Sequence, residues 1–180
     1  MFDLAIIAVI GLAAFFDIEW RRIPNWLIVF GLIAGIGLNG MRGLDGLYDS
    51  LIGAGLGIAL FFIPFALRWI GAGDAKYLGV IGAFLGPRLL PRVLWYAILV
   101  SGAMAVFSLI SRRFNVEFLK IAWNDLKHGL LMFLTFGRLE SVAIRPWTGV
   151  KEHSVPWGVG ISFGALIAYY LDPLGRWAGF

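Results

Sequence analysis

Apolar residues run through this chain in long blocks, broken by short polar punctuation. A helix that spans a bilayer needs about 20 mainly apolar residues, with about 17 as the lower limit. Six blocks meet or approach that length. The first is expected from about Leu4 to Trp20 and the second from about Trp26 to Leu38. The third, about Leu47 to Ile70, is long and carries Pro64, the residue expected to kink it. A short fourth follows from about Gly73 to Leu85, then a fifth from about Val93 to Ile110 and a sixth from about Val155 to Leu171. Small residues recur four apart at Gly31 and Gly35, Gly53 and Gly57, Gly82 and Gly86, and Gly160 and Gly164. Such pairs let helix backbones approach closely in lipid. The expected fold class is all-α: six transmembrane helices in a packed bundle.

One stretch departs from this pattern. In FNVEFLKIAWNDLKHGLLMFLTF, residues Leu119, Trp123, Leu126, Leu130 and Phe133 recur at helical spacing, with Glu117, Lys120, Asn124, Asp125 and Lys127 largely between them. That spacing predicts an amphipathic helix lying on the membrane interface. It falls within an amphipathic segment of about 112–154, expected on the cytoplasmic side. The chain is expected to form one membrane-embedded domain over 1–180, with no linker or internal repeat dividing it.

Composition agrees with a lipid environment. Hydrophobic residues make up 60% and charged residues 14% of the 180, and mean hydropathy is +0.85. Soluble domains average about 45–50% apolar and about 25% charged. The net charge of +4 is read as loop charge that sets orientation, not as a nucleic-acid surface. With six spans, one side carries Arg21, Arg22, Arg68, Lys76, Arg112, Arg113, Lys120, Lys127, Arg138, Arg145 and Lys151, eleven in all. The other side carries only four, Arg42, Arg88, Arg92 and Arg176. The richer side should be cytoplasmic, which places both termini outside. Phe2 to Phe16 lacks the basic n-region of a secretory signal and is read as a first membrane helix. Cysteine is absent, so this sequence offers no disulfide, thiol nucleophile or thiolate metal site.

Two carboxylates interrupt the apolar blocks near one predicted membrane face: Asp17 in GLAAFFDIEW and Asp74 in WIGAGDAKYLG. An ionisable group in such a place is either paired or functional. Each has a bland reading, Asp17 as a helix-end marker and Asp74 as part of a helix-start cap. Together, on helices that could pack, they suggest a dyad. Two carboxyls brought close cannot both ionise easily and share a proton. That arrangement suits aspartic proteolysis, in which one carboxylate activates water and the protonated partner donates to the scissile carbonyl. No metal site is expected.

DIEWRRIPN, Asp17 to Asn25, followed by GAGDAK, Gly71 to Lys76, resembles the type IV prepilin peptidase family. These are membrane aspartic proteases with an aspartate ahead of Ile-Pro-Asn (here Ile23, Pro24 and Asn25) and a second in GxGDxK. HSVPWGVGISFG, around Pro156 and Gly158, is similar to the family's last helix. The resemblance implies Asp17 and Asp74 as catalytic residues, supported by Ile23, Pro24, Asn25, Gly71, Gly73 and Lys76. It also implies an inner-membrane enzyme without cofactor that cuts short basic leaders from prepilin-like proteins at the cytoplasmic face. Long members carry an N-terminal region with paired cysteines, associated with N-methylation. Only sixteen residues precede Asp17 here, so the match is to the short form, of Tad-pilus or archaeal type.

Other polar residues stay open at this level. Pro24 and Asn25 could simply start a helix. Lys76 could snorkel or could favour an ionised Asp74. Glu19 could meet a basic leader or sit solvated at the interface. Asp125 and His128 read as a solvated helix face, and His153 as a loop residue. A proton-coupled transporter using Asp17 and Asp74 is the alternative function. Against it, no repeat and no mid-helix charge is evident. A catalytically silent pilus scaffold is a third reading, which the intact pair of aspartates disfavours.

Overall fold

The structure, a computed structural model, describes residues 2–66, 70–111, 127 and 157–171. Among these residues every regular element is a helix. In chain order they are α1 (Phe2–Trp20), α2 (Asn25–Gly40), α3 (Leu44–Ala66), α4 (Ala72–Leu85), α5 (Leu90–Ser111) and α6 (Trp157–Leu166). The last continues as a π-helical turn, Ile167–Leu171. All six apolar blocks are therefore helical, with ends shifted by a few residues. The third, expected over about Leu47 to Ile70, is helical from Leu44 to Ala66 among the described residues. Pro64 lies inside this helix and has no N–H to give the preceding turn. The amphipathic segment, with Asp125, His128, His153 and Pro156, lies outside the described residues.

Among the described residues two helices are both long and apolar enough to cross a bilayer, Leu44–Ala66 and residues 90–107 of α5. Only 22% of each apolar window is buried within the protein, unlike the core helix of a soluble domain. Phe30, Phe62 and Phe107 are among the large apolar side chains that face outward. The core between the helices is built from Ile6, Ile10, Leu27, Tyr77, Leu78, Ile81, Val93 and Ile161, among others.

α4 is the hub of the bundle. It packs most extensively against α3 and also meets α2, α5 and α6. Its approach to α3 depends on missing side chains. A Cβ on Gly53 would collide with the Gly82 carbonyl oxygen, and a Cβ on Gly82 with that of Gly53. One turn along, a Cβ on Gly57 would stand 2.5 Å from the Leu78 carbonyl oxygen. Backbone thus lies on backbone. Gly160 and Gly164 play the same part between α6 and α5, against Ser101 and Val93.

The far end of α4 shows how a buried helix terminus is satisfied. Ala83 would normally accept from residue 87, but Pro87 has no N–H. Asn39 Nδ2 donates to the Ala83 and Phe84 carbonyls at 2.8 and 3.0 Å, and Ser50 Oγ donates to Ala83 at 2.7 Å. Gly86 then turns the chain in a left-handed conformation, φ 75°. This end is closed structurally. The opposite end carries the aspartates.

Candidate functional site

Asp17 lies in the last turn of α1 and is buried, with 5% of its surface exposed. Its carboxyl is held by the start of α6. The Val159 N–H donates to Asp17 Oδ2 at 3.0 Å, and the Gly158 N–H also faces this carboxyl. Amides in the first turn of a helix have no carbonyl partner within that helix, so they seek an external acceptor. They also lie at the positive end of the helix dipole. Asp17 fills both needs. The approach requires glycine at 158, where a Cβ would stand 2.8 Å from Asp17 Oδ2.

Asp74 is held by its own helix. Gly71 is the N-cap of α4, in extended conformation with φ −72° and ψ 151°, and Asp74 stands three positions on. The Gly71 carbonyl accepts from the Asp74 N–H at 3.2 Å, while the Gly71 N–H faces the Asp74 carboxyl. The side-chain half of a capping box is thus present, with aspartate in place of the usual Glu or Gln. The Asp74 side chain folds over Gly71, where an added Cβ would lie 3.3 Å from Oδ2. The two carboxyls lie at the same end of the bundle, where Ile23 packs against both Gly158, beside Asp17, and Gly73, beside Asp74. They come from helices 57 positions apart in sequence (74 − 17). The C-terminal end of α1 and the N-terminal ends of α4 and α6 converge on one spot.

The segment after Asp17 closes that spot at the helix ends. Arg21 ends α1 in a left-handed conformation, φ 52°, with its N–H on the Asp17 carbonyl at 3.0 Å. A non-glycine residue there costs about 1–2 kcal/mol. In return the chain reverses sharply and brings Ile23 back into the core, 7% exposed. Ile23 lies 3.0 Å from the Cβ position of Gly158 and 3.9 Å from that of Gly73. It wedges between the two glycines that flank the aspartates.

The remaining motif residues separate in role. Pro24 is the N-cap of α2 and makes no side-chain cap bond; its carbonyl accepts from Leu27 and Ile28 at 3.1 and 3.3 Å. Asn25 is not the capping neighbour that its position suggests. Its Oδ1 instead accepts from Lys76 Nζ at 3.5 Å on the exposed face. That contact joins the two sequence motifs. It also turns the lysine toward Asn25, not into the core. Glu19 is exposed.

Three contributions could not be assigned from the sequence. The Val159 amide acts through backbone, which any residue supplies, and the Gly158 amide needs a glycine, but a glycine in an apolar helix does not name its partner. The third is a buried hydroxyl pair one turn deeper, Tyr77 on Ser162 at 2.8 Å. Tyr77 looks in sequence like one more core aromatic. Among the described residues no group of three or more histidine, cysteine, aspartate or glutamate side chains could hold a metal.

Residues 4–107, which include both aspartates and both motifs, match the model of the type IV leader peptidase family. The chain is 30% identical over 115 residues to a prepilin leader peptidase/N-methyltransferase of Myxococcus xanthus, covering 60% of this chain and 34% of that protein. It is also 30% identical over 107 residues to the protein of the same name in Bacillus subtilis, covering 57% and 43%. The chain thus spans less than half the length of these relatives. No solved structure matches it. With a family match over more than half of its residues, this chain belongs to the type IV leader peptidase family.

Proposed function

We propose that the chain is a membrane-embedded aspartic endopeptidase that removes the short basic leader from prepilin-like proteins, with Asp17 and Asp74 as its catalytic pair. The observation that carries this reading is the convergence of the two carboxyls, each seated on helix-start amides at the same end of the bundle. Amide donors hold each carboxyl in place without neutralising it, so the pair can keep one proton between them. The ionised member takes a proton from water, whose oxygen attacks the scissile carbonyl carbon. The protonated member gives its proton to the carbonyl oxygen, forming a neutral gem-diol. Collapse then breaks the C–N bond. The leaving amine takes a proton from the carboxyl that received one from water, and the hydroxyl proton returns to the other. The pair ends as it began.

Ile23, Pro24, Gly71 and Gly73 shape this site by packing and turning the backbone, and the Asn25–Lys76 contact joins the first turns of α2 and α4. Six spans, a cytoplasmic site, both termini outside and a single domain over 1–180 belong to the same proposal. So do an inner-membrane location and the amphipathic helix within about 112–154. The eleven-to-four partition of basic residues supports that orientation. In this threading the C-terminal end of α1 and the N-terminal ends of α4 and α6 all face the basic side. A transporter would be expected to carry its ionisable groups near the midplane. The pair at one end of the helices favours the peptidase. The deciding experiment is incubation of the purified protein with a prepilin in detergent. A product shortened at the leader junction supports the assignment, and an unchanged substrate at full enzyme loading removes it.

A further inference from the structure

Below the aspartates, three helices are tied together at one depth by two hydroxyls. Tyr77 follows Asp74 by three positions and so projects from the same face of α4. Ser162 follows Gly158 by four and Val159 by three, on the face of α6 that holds Asp17. Tyr77 Oη and Ser162 Oγ are 2.8 Å apart, and both residues are at most 1% exposed. Ser162 Oγ also reaches the Ile10 carbonyl of α1 at 3.5 Å. Ile10 precedes Asp17 by two turns on the same face. A hydroxyl has one proton, so when Ser162 donates to Ile10 it must accept from Tyr77. The chain runs from Tyr77 through Ser162 to Ile10.

Packing alone does not call for these hydroxyls. Tyr77 belongs to an apolar core that also includes Ile6, Ala13, Ile81 and Ile161. Phenylalanine and alanine would occupy nearly the same space, and replacing both members of a buried pair by apolar groups is often nearly neutral for stability. What the pair supplies is register. The contact between α4 and α6 is much less extensive than that between α4 and α3. A directional bond therefore has more to decide there. A slide of α6 along α4 would carry the Gly158 and Val159 amides, and with them Asp17, away from Asp74.

We infer that Tyr77 and Ser162 are positioning residues, whose buried hydroxyl pair sets the depth of α6 against α4 and so the spacing of the Asp17 and Asp74 carboxyls. This rests on the reading of those carboxyls as a working pair. The test uses the absence of cysteine from this sequence. Asp17→Cys/Asp74→Cys is treated in membranes with a short bifunctional thiol reagent, with and without Tyr77→Phe/Ser162→Ala. The cross-link should form in the parent background and form several-fold more slowly in the clamp variant, at an unchanged thermal midpoint. In the enzyme with both aspartates, the same Tyr77→Phe/Ser162→Ala pair should lower kcat for prepilin cleavage on the order of tenfold, with KM near the parent value. Tyr77→Phe alone should show most of that loss. Equal cross-linking and equal kcat in the two backgrounds would overturn the positioning role and leave the aspartate pair standing. No cross-link in the parent background would instead overturn the pairing itself, and the positioning role with it.

Discussion

The backbone N–H of Val159 donates to the carboxyl of Asp17 at 3.0 Å across 142 residues of sequence. This contact joins the last described helix to the first and does so at the buried carboxylate that the peptidase reading requires. It explains why burial of Asp17 is tolerated. An uncompensated carboxylate in apolar surroundings is costly, and amides at a helix start offset that cost without adding a second charge. Asp74 uses the same device at the start of α4, through Gly71. The two acids are held alike.

Removal of either acid should therefore stop the reaction and spare the fold. Asp17→Asn and Asp74→Asn should each abolish prepilin cleavage while leaving membrane expression close to the parent level, because an amide costs less to bury than a carboxylate. The double variant should be no worse than either single one, since the two act as a unit. Glu19→Gln and Asp125→Asn should keep substantial activity. Cleavage assays at matched expression check this, and full activity in either asparagine variant would end the aspartic mechanism.

Glycine at 158 should be indispensable for a steric reason. A methyl group there meets Asp17 Oδ2 at 2.8 Å, Asp17 Cγ at 2.9 Å and Ile23 Cδ1 at 3.0 Å. Gly158→Ala should push the carboxyl off the α6 amides and reduce cleavage at least tenfold, roughly the worth of one such charge-assisted contact. Gly102→Ala, with nothing within 4 Å of the new methyl, serves as the control and should cleave normally. Comparable activity in both variants would contradict the seat described for Asp17.

The α3–α4 interface should report on stability instead. Gly53→Ala and Gly82→Ala each place a methyl group against a facing carbonyl oxygen, and α3 and α4 must separate to admit it. Overpacking of this kind typically costs about 1–3 kcal/mol. Thermal denaturation in detergent should show both variants melting below the parent. Gly55→Ala, on the outward side of α3 with no neighbour within 4 Å, should melt with the parent.

Orientation can be read chemically, again because the sequence lacks cysteine. A single cysteine in place of Arg22, at the aspartate end, should react with an impermeant maleimide only when the cytoplasmic face is opened. One in place of Met41, between α2 and α3, should react in intact cells. The reverse pattern would put the aspartates on the outer face, away from prepilin leaders, and would defeat the proposed function.

The sequence by itself determined the helices and pointed to the aspartates. Apolar blocks of spanning length, broken at Arg21-Arg22, Met41-Arg42 and Gly86-Pro87, are local properties, and helix formation in such blocks needs no partner. Asp17 and Asp74 stood out because a carboxylate costs most where everything around it is apolar. Tertiary structure decided how those acids are held. The donor to Asp17 is the backbone amide of Val159, and an amide carries no residue code; the glycine at 158 permits the approach without naming the partner. The partner of Asn25 is Lys76, not its own helix start, because the folded chain brings the two motifs side by side. Asn39 and Ser50 read as stray polar residues until Pro87 leaves the Ala83 carbonyl without its usual donor. Tyr77 is indistinguishable from a core aromatic until Ser162 is opposite it. In each case the chain reveals a cost, a buried charge or an unmet hydrogen bond, and only the packing of helices distant in sequence supplies the group that offsets it.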